Sequence, residues 1–544
     1  MNTRTQSTMA RRAARALFLL LGVLLASGLP VVCAVPVDAD HGDRIIFGSI
    51  GEASNLIPYI STDSASHEVA GLLYVAPLRH DKNLKLETFA AQSYSIEDEG
   101  RLLRFTLKPG IYWEDGVELT AADVEYTWKA VIDPKTASPY AEDFLAVKAF
   151  TVTGRYSFEV RYERYFVRAL ASWCSAILPR HILEGQDLRN TPFSRKPVGA
   201  GPYRLKEWES GARITLVASP TYFEGRPHIA EVVYRVIPDL STMFLEARAG
   251  KLDVVSLTPQ QYLRQTSGPP WDTEYHKYKY LSSAYVYMGF NMRHPFFQDV
   301  RVRRAISCAI DREGIVKGVL WGEGVPAFGP YKPGSWVYHP TLKPVVRDTA
   351  RARALLAEAG FVDSDGDGVL ERDGKPFAFT ILTNQGNEQR ILTATVIQSQ
   401  LKEIGIAVNI RTVEWAAFIK EFVSKGRFDA VILGWTIGAD PDIYEVWHSS
   451  KAKPGGLNMT LYRNAEVDAL LEAGRATPDM DKRRLIYARL QEVLADDQPY
   501  CFLYVPYALP AVQARFRGVE PAVAGIMHNF DKWWVPRGEH RYHP

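Results

Sequence analysis

The stretch GWTIGADPDIYEVWHSS, Gly434 to Ser450, places two tryptophans, two aspartates and a proline directly after an apolar run. Indole faces give broad apolar contact at low entropic cost, and carboxylates give a partner for a cation or a donor, so the combination suits the wall of a ligand cleft. Gly434, Trp435, Asp440 and Asp442 are the candidate contacts here. Each has a competing role in folding. A lone tryptophan commonly fills a core, and Asp-Pro-Asp is a natural helix entry with Pro441 at the first helical position. Trp447, inside that expected helix start, reads as core more readily than as a ligand face.

The elements that must position these residues lie just upstream. Phe377 to Thr383 reads as a buried strand, and Asn387 as the N-cap of a helix carrying Ile391, Ala394, Ile397, Leu401 and Ile404 at helical spacing. Gly405 suits a left-handed C-terminal cap. Ile406 to Val413 forms a second strand, a helix with Trp415, Phe418 and Phe422 on one face ends at Gly426, and Phe428 to Trp435 is a third strand. Crossover helices make the three strands parallel, so their carboxyl ends share the edge at which open α/β sheets bind ligands. Asn384 to Asn387, Glu414-Trp415 and Trp435 to Asp442 are therefore expected to converge, which adds Asn384 and Trp415 to the candidate site.

Searches for catalysis and metals return little. There is no GxSxG elbow and no GKS or GKT loop, and HEVAG (His67 to Gly71) lacks the second histidine of a zinc helix. DSDGDG, Asp363 to Gly368, opens like a calcium loop with Asp363, Asp365 and Asp367 at alternate positions, but its twelfth position is Gly374 where a bidentate Glu belongs. It is a weak calcium candidate, on the sheet edge opposite the cleft. No metal or cofactor is otherwise expected.

The chain of 544 residues is too long for one core, and its charged fraction of 23% with net charge +2 gives no electrostatic reason to expect nucleic acid. Arg4, Arg11, Arg12 and Arg15 precede an apolar run from Ala16 to Ala26, the pattern of a secretory signal peptide cleaved after Ala34, with Ala39 as a second candidate. Lipid attachment at Cys33 is the less favoured alternative, because valine precedes it. Cys174, Cys308 and Cys501 would remain, enough for one disulfide of unreadable pairing and too sparse for a disulfide scaffold. Strand-like runs such as Arg101 to Trp113 and Ser157 to Glu163 alternate with helical ones such as Val300 to Ile310, which is α/β or α+β. The absence of linkers suggests interleaved domains.

Four stretches carry a resemblance: LKPGIYWEDGVELTAADVEYTWKAVIDP (Leu107 to Pro134), PVGAGPYRLKEW (Pro197 to Trp208), FNMRHPFFQDVRVRRAISCAIDRE (Phe290 to Glu313) and LYRNAEVDALL (Leu461 to Leu471). The chain resembles the bacterial extracellular solute-binding proteins of family 5, the peptide-binding receptors of ABC importers. The resemblance implies an α/β, type II periplasmic-binding fold of two lobes with a hinge and three interleaved domains. After the signal peptide (1-34), domain I takes 43-78, 195-285 and 505-540, domain II takes 79-194, and domain III takes 286-504. It also implies a periplasmic monomer that binds peptide, oligopeptide in the first place, and delivers it to the importer's permease subunits.

One departure bears on the ligand. Family members that bind short peptides carry an aspartate shortly after this Gly-Trp that pairs with the ligand α-ammonium. The third position after Trp435 is Gly438, and the first carboxylate is Asp440, at the fifth. The family also carries nickel chelates, sugars and other solutes, so a non-peptide solute is the alternative reading and an exported hydrolase a more distant one.

Overall fold

Three sheets carry the architecture, and the chain visits them out of sequence order. The computed structural model describes residues 41–542. Its first sheet has seven strands in the spatial order Tyr275–Lys277, Pro510–Gln513, Val254–Ser256, Gly42–Ser49, Ile229–Val236, Arg213–Ala218 and Tyr203–Glu209. The second is a four-stranded antiparallel sheet of Ala91–Glu97, Leu102–Leu107, Ser157–Tyr162 and Val147–Val152. In the third, Tyr280–Leu281, Tyr500–Ala508, Ala284–Phe290, Ala430–Thr436, Ala378–Asn384 and Ala407–Val413 lie side by side, with Gly324–Pro326 on Tyr500–Ala508. The first sheet thus draws strands from three separate parts of the sequence. Tyr500–Ala508 runs through residue 505 without a break, so the chain leaves the third sheet only after Ala508.

The expected βαβαβ unit is present at the heart of the third sheet. Ala378–Asn384 pairs in parallel with Ala407–Val413 on one side and with Ala430–Thr436 on the other. Asn387 caps the helix Glu388–Lys402 by accepting from the Arg390 amide, and Gly405 follows it at φ +82°. That left-handed backbone is one a Cβ disfavours. The second crossover differs from expectation. A single turn, Trp415–Ala417, runs into a π-helical segment, Phe418–Val423, which widens the coil while Phe418 and Val423 still reach the core. The run expected to continue as a strand from Arg101 to Trp113 stops at Leu107, where Pro109 and the left-handed Gly110 turn the chain.

The helix entry at Asp440-Pro441-Asp442 is also not as expected. The helix begins at Tyr444 and spans only Tyr444–Trp447. Asp440 Oδ1 accepts from the Asp442 amide and Asp442 Oδ1 from the Tyr444 amide, so the three residues form consecutive side-chain turns instead of a first helical turn. Cys174, Cys308 and Cys501 are free thiols. The export segment and Cys33 lie outside the described residues. Among the described residues, no helix is long and apolar enough to cross a membrane.

Candidate functional site

Parallel strands of the first sheet end at Ser49, Val236 and Ser256, and those of the third end at Asn384, Val413 and Thr436. Between these two sets of carboxyl ends lies a cavity of about 780 Å³. The first sheet and its neighbours supply Phe47 to Gly51, Val254 to Thr258 and the helix Ser64–Leu73; the third supplies Asn387, Gln389, Arg390 and Trp415. Concavities of about 620 and 650 Å³ elsewhere are each lined by the first sheet's own segments. The 780 Å³ cavity draws walls from both large sheets, as a ligand cleft between lobes must.

The two walls touch at its rim. Trp415, half-buried, lies against Gly51 so closely that a Cβ on Gly51 would overlap the indole ring. Gly386, at φ +79°, brings its backbone against the Pro238 carbonyl, where a side chain would collide. Ser241 Oγ donates to Glu388 Oε1 at 2.9 Å. The cleft is therefore in a closed arrangement.

Arg390 is the cation of this cavity. Its guanidinium donates to Asn384 Oδ1 at 2.8 Å and has no carboxylate partner among the described residues, and burial lowers its pKa despite nearby Tyr504 and Tyr287. Asn384 is fully buried and serves as a holder for Arg390. Gly434 leaves room behind it, since a Cβ there would meet Tyr285 O at 3.0 Å and Arg390 Nη2 at 3.4 Å. Of the expected contacts, Trp415 lines the cavity, while Asn384 and Gly434 shape its guanidinium from behind.

Trp435, Asp440 and Asp442 are not among the lining residues. The Trp435 indole donates to Tyr500 Oη at 3.2 Å and packs into the core of the third sheet. Trp447, with 0% exposure, is core, its ring tilted against that of Tyr500 with centroids 4.3 Å apart. Asp440 is held by two 2.7 Å hydrogen bonds from Arg483. Asp442 receives Arg475 at 2.7 Å and Arg168 at 3.4 Å. Burial would raise the Asp442 pKa, but the charges of Arg475 and Arg168 outweigh it and hold the carboxyl below its ordinary range. The expectation that Asp440 and Asp442 face the ligand is thus corrected, because internal arginines already neutralise both carboxylates and draw the loop toward the helices Ala465–Ala476 and Met480–Asp497.

This cluster joins different parts of the chain. Arg168 and Asp143, from the segment around the second sheet, meet Arg475 and Asp442 from the third: Arg168 reaches Asp143 at 2.8 Å, and Arg475 reaches it at 3.2 Å. The Val167 amide donates to the Arg475 carbonyl, and Lys451 pairs with Glu142 at 2.7 Å. On the far edge, Asp363, Asp365, Asp367 and Glu371 each place an oxygen within 4.8 Å of the others. Glu371 accepts from the Ser364 amide and hydroxyl, occupying a place that the twelfth loop position, Gly374, does not fill.

Residues 85–456 match the sequence profile of the bacterial extracellular solute-binding proteins, family 5. The chain belongs to that family. Its relatives include the oligopeptide-binding protein AppA of Bacillus subtilis (strain 168), 35% identical over 511 residues that cover 91% of this chain and 92% of that protein. The structure of AppA from Bacillus subtilis in complex with a nonapeptide superposes with a TM-score of 0.87 at 34% identity, covering 91% of this chain and 99% of that one. NikZ from Campylobacter jejuni in complex with Ni(L-His) gives a TM-score of 0.82 at 25% identity, covering 90% and 99%. The fold is accordingly the type II periplasmic-binding fold of family 5. Sequence reasoning missed Arg390 and Glu68 as cleft residues. Arg390 was within reach of it, standing in the first turn of a helix that follows a strand end on the expected edge.

Proposed function

We propose that this protein is an extracytoplasmic receptor that binds peptides, oligopeptides in particular, in the cleft between its two large sheets and delivers them to the permease of an ABC importer. The observation that carries this reading is the closed cavity of about 780 Å³ at the facing carboxyl ends of two sets of parallel strands. Strand-end backbone at Phe47 to Gly51 and Val254 to Thr258 suits the N–H and C=O groups of an extended chain, which need partners once buried. The Trp415 indole suits varied side chains, and the Arg390 guanidinium suits a ligand carboxylate. The similarity to a receptor solved with a nonapeptide supports the same reading.

The receptor acts as a monomer in the periplasm, binding without turnover, and closure over the ligand creates the surface that the permease recognises. Calorimetry with pooled peptides, followed by mass spectrometry of the mixture, tests this. Saturable uptake of intact peptides, one per chain, is expected. Appearance of cleavage products would identify a hydrolase instead, and preference for Ni(L-His) over every peptide would favour the chemistry named for NikZ.

A further inference from the structure

The helix Ser64–Leu73 carries into the cavity a charge that nothing above has used. Glu68 is the only carboxylate among the described residues lining the cavity. Among the described residues it has no hydrogen-bond or ion-pair partner, and its side chain is exposed to the open space of the cavity. Its neighbours are otherwise engaged. Asp63 caps its own helix through the Ser66 amide and accepts from Ser54 Oγ, and His67 Nε2 lies 3.2 Å from the Ser61 carbonyl and 3.1 Å from Tyr140 Oη. Arg390, the only guanidinium among the described lining residues, donates to Asn384 Oδ1 and makes no ion pair with Glu68. Withdrawal from water, with Asp63 adding to it, pushes the Glu68 pKa up, and Glu68 in turn helps to raise that of Tyr234.

A carboxylate that faces the open cavity and has no partner in the protein is free to pair with a cation that the cleft encloses, and such a pair strengthens as closure excludes water. Asp440 and Asp442 do not supply a cation-reading group, since Arg483, Arg475 and Arg168 already satisfy them. Resting on the peptide reading above, we propose that Glu68 is the cation-recognising residue of the cleft, pairing with a peptide α-ammonium or with a ligand lysine or arginine side chain. Together with Arg390 it gives the cavity one negative and one positive pole, each carried by a different wall.

The test uses three nonapeptide libraries with the full chain: a lysine- and arginine-free pool with free amino termini, the same pool N-acetylated, and an N-acetylated pool carrying one lysine per peptide. Wild-type protein is expected to bind at least one cation-bearing pool about tenfold or more tighter than the uncharged N-acetylated pool. The first pool reports the α-ammonium as the source and the third reports a side chain. Glu68→Gln should remove that preference by weakening the cation-bearing pool far more than the uncharged one, and Glu68→Asp should retain part of it. A helix merely disturbed by the substitution would weaken all pools alike, which thermal melting of both variants would also register. The proposal is overturned if wild-type protein shows no preference, if the preference survives in Glu68→Gln, or if all pools weaken equally. Failure of wild-type protein to bind any pool would overturn the peptide reading itself, and this assignment with it.

Discussion

Arg483 holds Asp440 in a two-pronged ion pair, Nη1 to Oδ2 and Nη2 to Oδ1, each at 2.7 Å. The guanidinium is almost fully buried, and its Nε donates to the Gly474 carbonyl at 2.9 Å. The pair ties the loop after Ala430–Thr436 to the helix Met480–Asp497. Breaking one side of a buried pair leaves an uncompensated charge, which costs far more than the pair itself contributes. Asp440→Asn should therefore lower stability by roughly 2–4 kcal/mol in urea denaturation. It should leave the affinity ratio between a free and an N-acetylated peptide unchanged. A change in that ratio without a loss of stability would return Asp440 to the ligand.

Arg475 lies between Asp442 and Asp143 and stacks over the Tyr444 ring at 3.9 Å. Because Asp143 and Asp442 belong to segments of different sheets, their shared arginine favours the closed arrangement. Arg475→Met should increase the radius of gyration of ligand-free protein in small-angle scattering and weaken ligand binding several-fold. An unchanged scattering profile would mean that the cluster serves stability alone.

Trp415 against Gly51 is one of the close approaches across the cleft rim. Gly51→Val puts a branched side chain where the indole stands, so closure should be impeded. Ligand-induced change in tryptophan fluorescence should diminish and affinity should fall about tenfold or more, while the thermal midpoint without ligand stays near that of wild type. Trp415→Phe tests the same contact from the other side, and full retention of the fluorescence change in that variant would assign the signal to another tryptophan.

Glu445 gives a pH signature. Burial, only partly offset by Lys451 and Arg475, raises its pKa from 4.5 to about 7, and its Oε2 is buried 3.2 Å from Lys451 Nζ without a hydrogen bond. A folded pKa above the unfolded one means tighter proton binding in the folded state. The associated stability is fully present below about pH 4.5 and is lost as the pH rises through about 7. Glu445→Gln should then be more stable than wild type by about 1–3 kcal/mol at pH 8 and much closer to it at pH 5. Equal differences at both pH values would contradict the shifted carboxyl.

The parallel unit around Ala378–Asn384 was legible in the sequence because local signals agree there: an N-cap at Asn387, a left-handed glycine at 405 and apolar runs of strand length. Trp415 followed from topology alone. The role of Asp440 did not, because its partner Arg483 stands 43 positions later on a helix whose packing no local pattern reveals. Glu68 was passed over for a related reason. HEVAG invites comparison with a zinc helix, and its actual surroundings come from segments as distant as Tyr234 and Trp415. The π-helical segment after Ala417 departs from a regular period that the spacing of Trp415, Phe418 and Phe422 fits equally well.

The most direct measurement is mass spectrometry of the small molecules released on denaturing protein purified under native conditions from the cells that produce it. A peptide receptor should release about one peptide per chain, of narrow length distribution and varied sequence, because backbone contacts at strand ends do not distinguish side chains. Stoichiometric recovery of a nickel chelate or a sugar, with no peptides, would contradict it.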